Sequence, residues 1–259
     1  MKTDVILKVD NVTKTFGQDL SKTEALRGIS FDVLKGEFLG IMGASGSGKT
    51  TLLNCIATMT KPSSGKILLG DDDLTLLKGA KLSEYRGSRI GYLFQDFELL
   101  DNMTARENII LPLSLHGITE KQAEDRLREL AEHFDITDVL DKFVSQMSGG
   151  QKQRTAAARA LISEPDILLM DEPTGALDSR NSKIVLDKLR QMNTEKKSSI
   201  VMVTHDARAA SYCSRVLFIR DGRLFHELRR SLSGESQDDF YEKIITVTAQ
   251  MAGGNNNVI

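Results

Sequence analysis

The stretch Gly43-Ala44-Ser45-Gly46-Ser47-Gly48-Lys49-Thr50 constrains this 259-residue chain more than any other. It has the spacing G-x-x-x-x-G-K-[ST]. Glycines at these places let the backbone turn tightly and bring its N–H groups against anionic oxygens. The run Glu37–Met42 before it reads as an apolar strand, and Leu52, Leu53 and Ile56 after it suit a buried helix. A strand, a glycine turn and a helix start place the positive end of the helix dipole at a bound anion. In that frame Lys49 reaches the terminal phosphates of a nucleotide and Thr50 offers its hydroxyl to Mg²⁺. Gly43, Ala44, Ser45, Gly46, Ser47, Gly48, Lys49, Thr50 and Thr51 are therefore the candidate nucleotide contacts. The alternative is a flexible loop with a stray lysine, which the apolar strand and helix on either side argue against.

Such a loop specifies only a nucleoside triphosphate, and a second element must supply a metal-coordinating carboxylate at the end of a buried strand. Ile167–Met170 followed by Asp171 and Glu172 has that form. Asp171 is placed to hold Mg²⁺, and Glu172 to orient and deprotonate an attacking water. Seen alone, Glu172 has a lesser alternative as a solvated acid after a strand.

Composition narrows the class. The formal net charge is −2, which gives no global basic field for nucleic acid or anionic lipid. The absence of Trp and the scarcity of other aromatics argue against a base-stacking platform. Cys55 and Cys213 have no ligand partner at short spacing, so free thiols in a reducing compartment are expected. The segment Met1–Asp4 leads into no long apolar run, so no secretory signal is expected. Stretches such as Ile109–Leu115 are far too short to cross a bilayer, so membrane work would need another chain.

Along the chain, Val5–Val9, Ile29–Val33 and Lys66–Leu69 read as strands. Thr119 and Gln122 have capping-box spacing, with Leu127, Leu130, Ala131 and Phe134 on one face of the helix they open. A helical insertion over roughly 96–160 follows from this. Beyond it, Ile167–Met170, Ile200–Val203 and Val216–Ile219 alternate with helical stretches, the pattern of a parallel sheet with crossovers. Asp221-Gly222 marks a hairpin. Ser236 and Asp239 open a last helix carrying Phe240, Tyr241, Ile244, Ile245 and Thr248 at helical spacing. That helix could pack on its own domain or on another subunit.

Ser148-Gly149-Gly150-Gln151, ahead of the basic, alanine-rich run Lys152–Leu161, resembles the signature sequence of ABC ATPases. Locally it is also a Ser-Gly-Gly turn capping a helix. Met147 stands where that family more often has Leu. The other family elements occur in order over nearly the whole chain. Phe16 matches the aromatic position that stacks on adenine, where Tyr is more usual; the alternative is a core role. Gln95 matches the glutamine that contacts Mg²⁺ and water, Ala176–Asp178 the loop that crosses the dimer interface, and His205 the histidine that touches the γ-phosphate. Gly40–Asn54, Asp171–Asp178 and Val203–Asp206 are similar to the MacB/LolD group. Phe94–Asp101, Ile110–Leu113 and Ala210–Cys213 look more specifically like the BceA type, which pairs with a large permease and confers resistance to bacitracin, nisin and related peptides.

The resemblance implies an α/β fold. A P-loop NTPase core, a mostly parallel sheet with flanking helices, would carry an N-terminal antiparallel β subdomain and an inserted helical subdomain. It implies one ATPase domain over 1–235, with the helical part at about 96–160, and a C-terminal helix and flexible tail over 236–259. ATP and Mg²⁺ would be bound by a head-to-tail homodimer. Each ATP would lie between the phosphate loop of one copy and the Ser148–Gly150 turn of the other, with Asp178 at the interface. The partner would be an integral membrane permease of the BceB/FtsX-like type, through which a sensor kinase could be reached, with no nucleic acid involved. The location would be cytoplasmic, peripheral on the inner face of the membrane. Lipoprotein release, macrolide export or cell division by a similar ATPase, a soluble ABC protein, and a non-catalytic ATP sensor are the rival readings. Glu172 and His205 count against the last.

Overall fold

The computed structural model describes residues 4–17, 21–115, 118–231 and 233–252. In chain order its elements are β1 (Val5–Phe16), β2 (Thr23–Leu34), β3 (Phe38–Met42), α1 (Lys49–Ile56), β4 (Ser64–Leu69), β5 (Asp72–Asp73), α2 (Gly79–Arg89), β6 (Ile90–Leu93) and α3 (Ala105–Ile110). They continue with α4 (Glu120–His133), α5 (Gly149–Leu161), β7 (Ile167–Asp171), α6 (Ser179–Lys196), β8 (Ser199–Thr204), α7 (Ala207–Ala210), β9 (Arg215–Arg220), β10 (Arg223–Arg229) and α8 (Gln237–Ala252). Two compact units result, one from Met1–Lys78 with Ser199–Ile259 and the other from Gly79–Ser198.

The first unit holds an antiparallel sheet in the order β2-β1-β4-β5. Its buried face alternates along the strands: Leu7 and Val9 on β1, Ile29, Phe31 and Val33 on β2, Ile67 and Leu69 on β4. β1 is longer than the alternation Val5–Val9 suggests. Its register against β2 shifts between Val9 and Val12, where Asn11 turns into the left-handed region at φ 47. A bulge of this kind breaks the period of two without ending the strand.

In the same unit β3 runs parallel to both β8 and β9, and β10 returns antiparallel beside β9 through Asp221-Gly222. Phe38, Leu39, Ile41 and Met42, Ile200 to Val203, and Val216 to Ile219 are all buried. Continuous apolar runs are what strands covered on both faces require. Burying each such side chain contributes about 1.5–3 kcal/mol. Glu37 and Arg215 form a buried pair at 3.3 Å, and Arg215 also donates to the Asp32 carbonyl, so the charge is not left unpartnered. Burial pushes the Cys55 thiol up to about 11, which keeps it protonated and inert.

α8 starts where Ser236 and Asp239 exchange hydrogen bonds and buries Phe240, Ile244 and Val247 within this first unit. The expected flexible tail, including Gly253–Asn257, lies outside the described residues.

In the second unit β6 pairs parallel with β7, Ile90 opposite Ile167 through Leu93 opposite Met170. The interval 96–160 contributes α3, α4 and α5, which bury Ile109, Leu127, Leu130, Phe134 and Ala156 to Ala158. Three of these helices open with reciprocal caps: Thr104 with Glu107, Thr119 with Gln122, and Ser148 with Gln151. The compact unit is wider than that interval and includes α2, the β6–β7 pair and α6. Among the described residues no helix is long and apolar enough to cross a membrane.

Candidate functional site

The phosphate loop joins β3 to α1. Gly48 sits at φ 102 as the N-cap of α1, a conformation that an L side chain rarely adopts. Leu52 N–H donates to the Gly48 carbonyl at 2.9 Å and starts the helix. Lys49 is buried and lays its ammonium across the loop, donating to the Gly43 and Ala44 carbonyls at 2.8 and 2.9 Å. Ser47 Oγ is buried there without a hydrogen-bond partner. A buried lysine, an unpartnered buried hydroxyl and a helix start converge on one loop, which fits a polyphosphate.

His205 follows β8 in the same unit. Asp206 anchors the turn after it: its N–H donates to Thr204 Oγ1 at 3.0 Å, and its carboxylate accepts from Arg208 N–H at 2.8 Å. His205, Gly43 to Ser47 and Phe218 border a single cavity of about 290 Å³. Phe16, at the end of β1, is 45% exposed with Lys14 Nζ 4.9 Å from its ring centroid. Its ring is therefore not in the core.

In the second unit Asp171 ends β7. Glu172 follows at φ 47, the left-handed region that costs a non-glycine residue roughly 1 kcal/mol or more. A tight turn fixes it, with Gly175 N–H donating to the Glu172 carbonyl at 3.0 Å. Gln95 comes up to this turn: a Cβ on Gly175 would stand 3.2 Å from Gln95 Nε2. Gln153, buried on α5, donates to the Pro173 carbonyl at 2.6 Å and ties the same turn to the helix that Ser148 opens. The structure thus gathers Gln95, Glu172 and α5 around one turn.

Ser148 caps α5, and Gln151 returns the bond by accepting from Ser148 N–H at 2.9 Å. Asp178 caps α6, accepting from Asn181 N–H at 2.8 Å and from Asn181 Nδ2 at 2.7 Å. These bonds hold the Asp178 carboxyl below the usual carboxylate range. A Cβ on Gly150 would run into Asn181 Oδ1, so a larger residue there would have to push the Asn181 side chain aside. Asn181 thus touches both Gly150 and Asp178, a role that no sequence signal marks.

Arg159 is a second residue missed from sequence. From α5 it donates to the Phe97 carbonyl at 2.8 Å and to the Glu98 carbonyl. Phe97 and Glu98 are consecutive left-handed residues, at φ 64 and 48. The guanidinium therefore holds the chain after Gln95 in a conformation it would not keep unaided. Arg159→Ala should lower stability by about 1–3 kcal/mol through the two lost charged hydrogen bonds, read as an earlier melting transition.

Fold and site define a P-loop nucleoside triphosphatase whose phosphate loop, carboxylate-ended strand and serine-capped helix α5 lie on separate elements. The chain belongs to the ABC transporter ATPase family, whose model, described as ABC transporter, matches residues 26–175. It is 46% identical over 252 residues to the bacitracin export ATP-binding protein BceA of Halalkalibacterium halodurans, covering 97% of this chain and 99% of that one. It is also 46% identical over 252 residues to the ABC transporter ATP-binding protein YxdL of Bacillus subtilis, covering 97% and 96%. The dimeric ATP-binding cassette MJ0796, solved in a post-hydrolysis state with ADP and Pi, superposes with a TM-score of 0.80 at 35% identity, covering 87% of this chain and all of that one. This chain is an ATP-binding and ATP-hydrolysing subunit of an ABC transporter. Cassettes of this family act as dimers with a membrane permease.

Proposed function

We propose that this ATPase powers a permease that exports antimicrobial peptides of the bacitracin and nisin kind, or removes them from their target. The supporting observation is the 46% identity to BceA over 97% of the chain. The permease would be of the BceB/FtsX-like type, and a sensor kinase would be reached through it. The subunit would sit at the cytoplasmic face, held peripherally by that permease.

Each residue has a chemical task in this reading. Phe16 stacks on adenine. The loop from Gly43 to Thr51 cradles the phosphates, with Lys49 on the terminal ones. Among the described residues no cluster of three or more His, Cys, Asp or Glu would cage a metal. The hydroxyl of Thr50, the Asp171 carboxylate and the Gln95 amide suit Mg²⁺ instead, which keeps waters and binds together with substrate phosphates. When bound, it neutralises charge on the phosphoryl group. Glu172 takes the proton of the attacking water, and His205 donates to the γ-phosphate. Ser148, Gly149, Gly150 and Gln151 meet the nucleotide of a second copy, with Asp178 at that interface. ATP then favours a closed dimer and hydrolysis an open one, and the difference is available to the permease as a population shift.

Deleting the protein should sensitise its host to bacitracin or nisin, measured as a lower inhibitory concentration that the wild-type gene restores. Unchanged peptide sensitivity together with retained lipoproteins or macrolide sensitivity would instead favour the lipoprotein-release or macrolide-export reading. Phe97, Leu99 and Leu100 follow Gln95, and Leu100 is 42% exposed. An exposed leucine there suits an apolar contact with the permease. Leu100→Asp should weaken co-purification with the permease while the isolated subunit still hydrolyses ATP.

A further inference from the structure

The last turn of α8 stands beside the phosphate loop. The helix is fixed at its other end to α7, the turn that follows His205. Arg208 on α7 carries its guanidinium 4.0 Å over the Tyr241 ring and pairs with Asp238 at 2.7 Å. Gln237 Nε2 donates to Ser211 Oγ at 3.0 Å. Phe240, Ile244 and Val247 bury the face between. Helix geometry then carries the chain about 1.5 Å per residue away from α7. Its far end delivers Thr248 and Met251 to the same 290 Å³ cavity that Gly43 to Ser47 and His205 border.

Both side chains make a wall of low polarity. Thr248 Oγ1 donates back to the Ile244 carbonyl at 2.8 Å, so its hydrogen is directed into the helix and away from the cavity. Met251 is half-buried, and its thioether is unbranched and adaptable. The cavity is also bordered by Arg220 and Asp221, so the apolar Met251 stands among charged groups and limits how far water screens them. A 16-residue helix anchored on the His205 turn and ending at the phosphate loop spans the two elements of this unit assigned to the phosphates.

We propose that the last turn of α8, through Met251 and Thr248, is part of the phosphate site of its own subunit and helps set how tightly a nucleoside polyphosphate is held beside Gly43–Ser47 and His205. This rests on the reading of Gly43–Thr51 as the phosphate cradle, and it adds to that cradle an element from the far end of the chain.

The test uses the full chain with Met251→Lys and Met251→Glu, titrated with MgATP and with adenosine at low and high salt. A single charge near the phosphates should change MgATP affinity by roughly three- to tenfold, tighter for Lys and weaker for Glu. The two curves should converge at high salt, adenosine binding should not move, and both variants should melt alike. MgATP affinity that stays at the wild-type value in both, or that falls equally in both along with the melting temperature, would overturn the proposal. Lys49→Ala is measured in parallel. If it binds MgATP normally the cradle reading itself is wrong, whereas a loss there with unresponsive Met251 variants refutes only the role of α8.

Discussion

Glu172→Gln should bind ATP as the wild type does and hydrolyse it about 10²–10⁴-fold more slowly, the usual cost of losing a general base. The substitution isolates the carboxylate. Glutamine keeps the length, the shape and one acceptor oxygen, and its side chain suffers the same crowding at φ 47 as glutamate, so the turn closed by Gly175 should persist. The phosphate loop and Asp171 are untouched, so affinity should be preserved. Binding without hydrolysis should then trap the closed dimer, seen on a sizing column as an ATP-dependent shift from monomer to dimer. Lys49→Ala should do the opposite: without the buried ammonium that lies across Gly43 and Ala44, ATP is not retained and no dimer forms. Turnover of Glu172→Gln at the wild-type rate would remove Glu172 from its role as base.

Much of this site was legible because its chemistry demands rare residue types at fixed spacing. The phosphate loop, Asp171 with Glu172, and the Ser148 turn each announce themselves in that way. The inner strands were legible for a different reason, since β3, β8 and β9 are buried on both faces and so read as unbroken apolar runs. α2 escaped because it is polar nearly all round, with Tyr85 its one buried side chain, and so leaves no periodic stripe. The left-handed backbone at Phe97, Glu98 and Glu172 also escaped, because Phe and Glu, unlike Asn, Asp or Gly, do not mark positive φ in a sequence. Arg159 and Asn181 act through contacts 62 and 31 positions away, to Phe97 and Gly150, which no local spacing reveals. For α8 the periodicity gave the helix, but of the face it suggested only Phe240 and Ile244 are buried: Ile245 is exposed, and Val247 joins the core instead. Only the fold decided that this face packs within the first unit, and only the fold put Met251 near the phosphate loop.

Mixing two inactive variants should restore activity. Suppose that one copy carries Glu172→Gln and the other carries Ser148→Arg, whose bulky side chain replaces the hydroxyl that caps α5 and fills the turn proposed to meet phosphate. In a head-to-tail dimer each ATP meets the phosphate loop and Glu172 of one copy and the Ser148 turn of the other. Both defects of the mixed dimer then fall on one site, and its second site is wholly wild type. Random pairing makes half the dimers mixed with one sound site of two, so an equimolar mixture should recover roughly a quarter of the wild-type rate if the sites act independently. Each variant alone should stay near background. Adding Lys49→Ala to the Ser148→Arg copy should abolish the recovery, because the sound site draws its phosphate loop from that copy, whereas adding it to the Glu172→Gln copy should leave the recovery intact. If each subunit instead hydrolysed ATP with its own Ser148 turn, every site in every mixture would carry one defect, and no combination would rise above background.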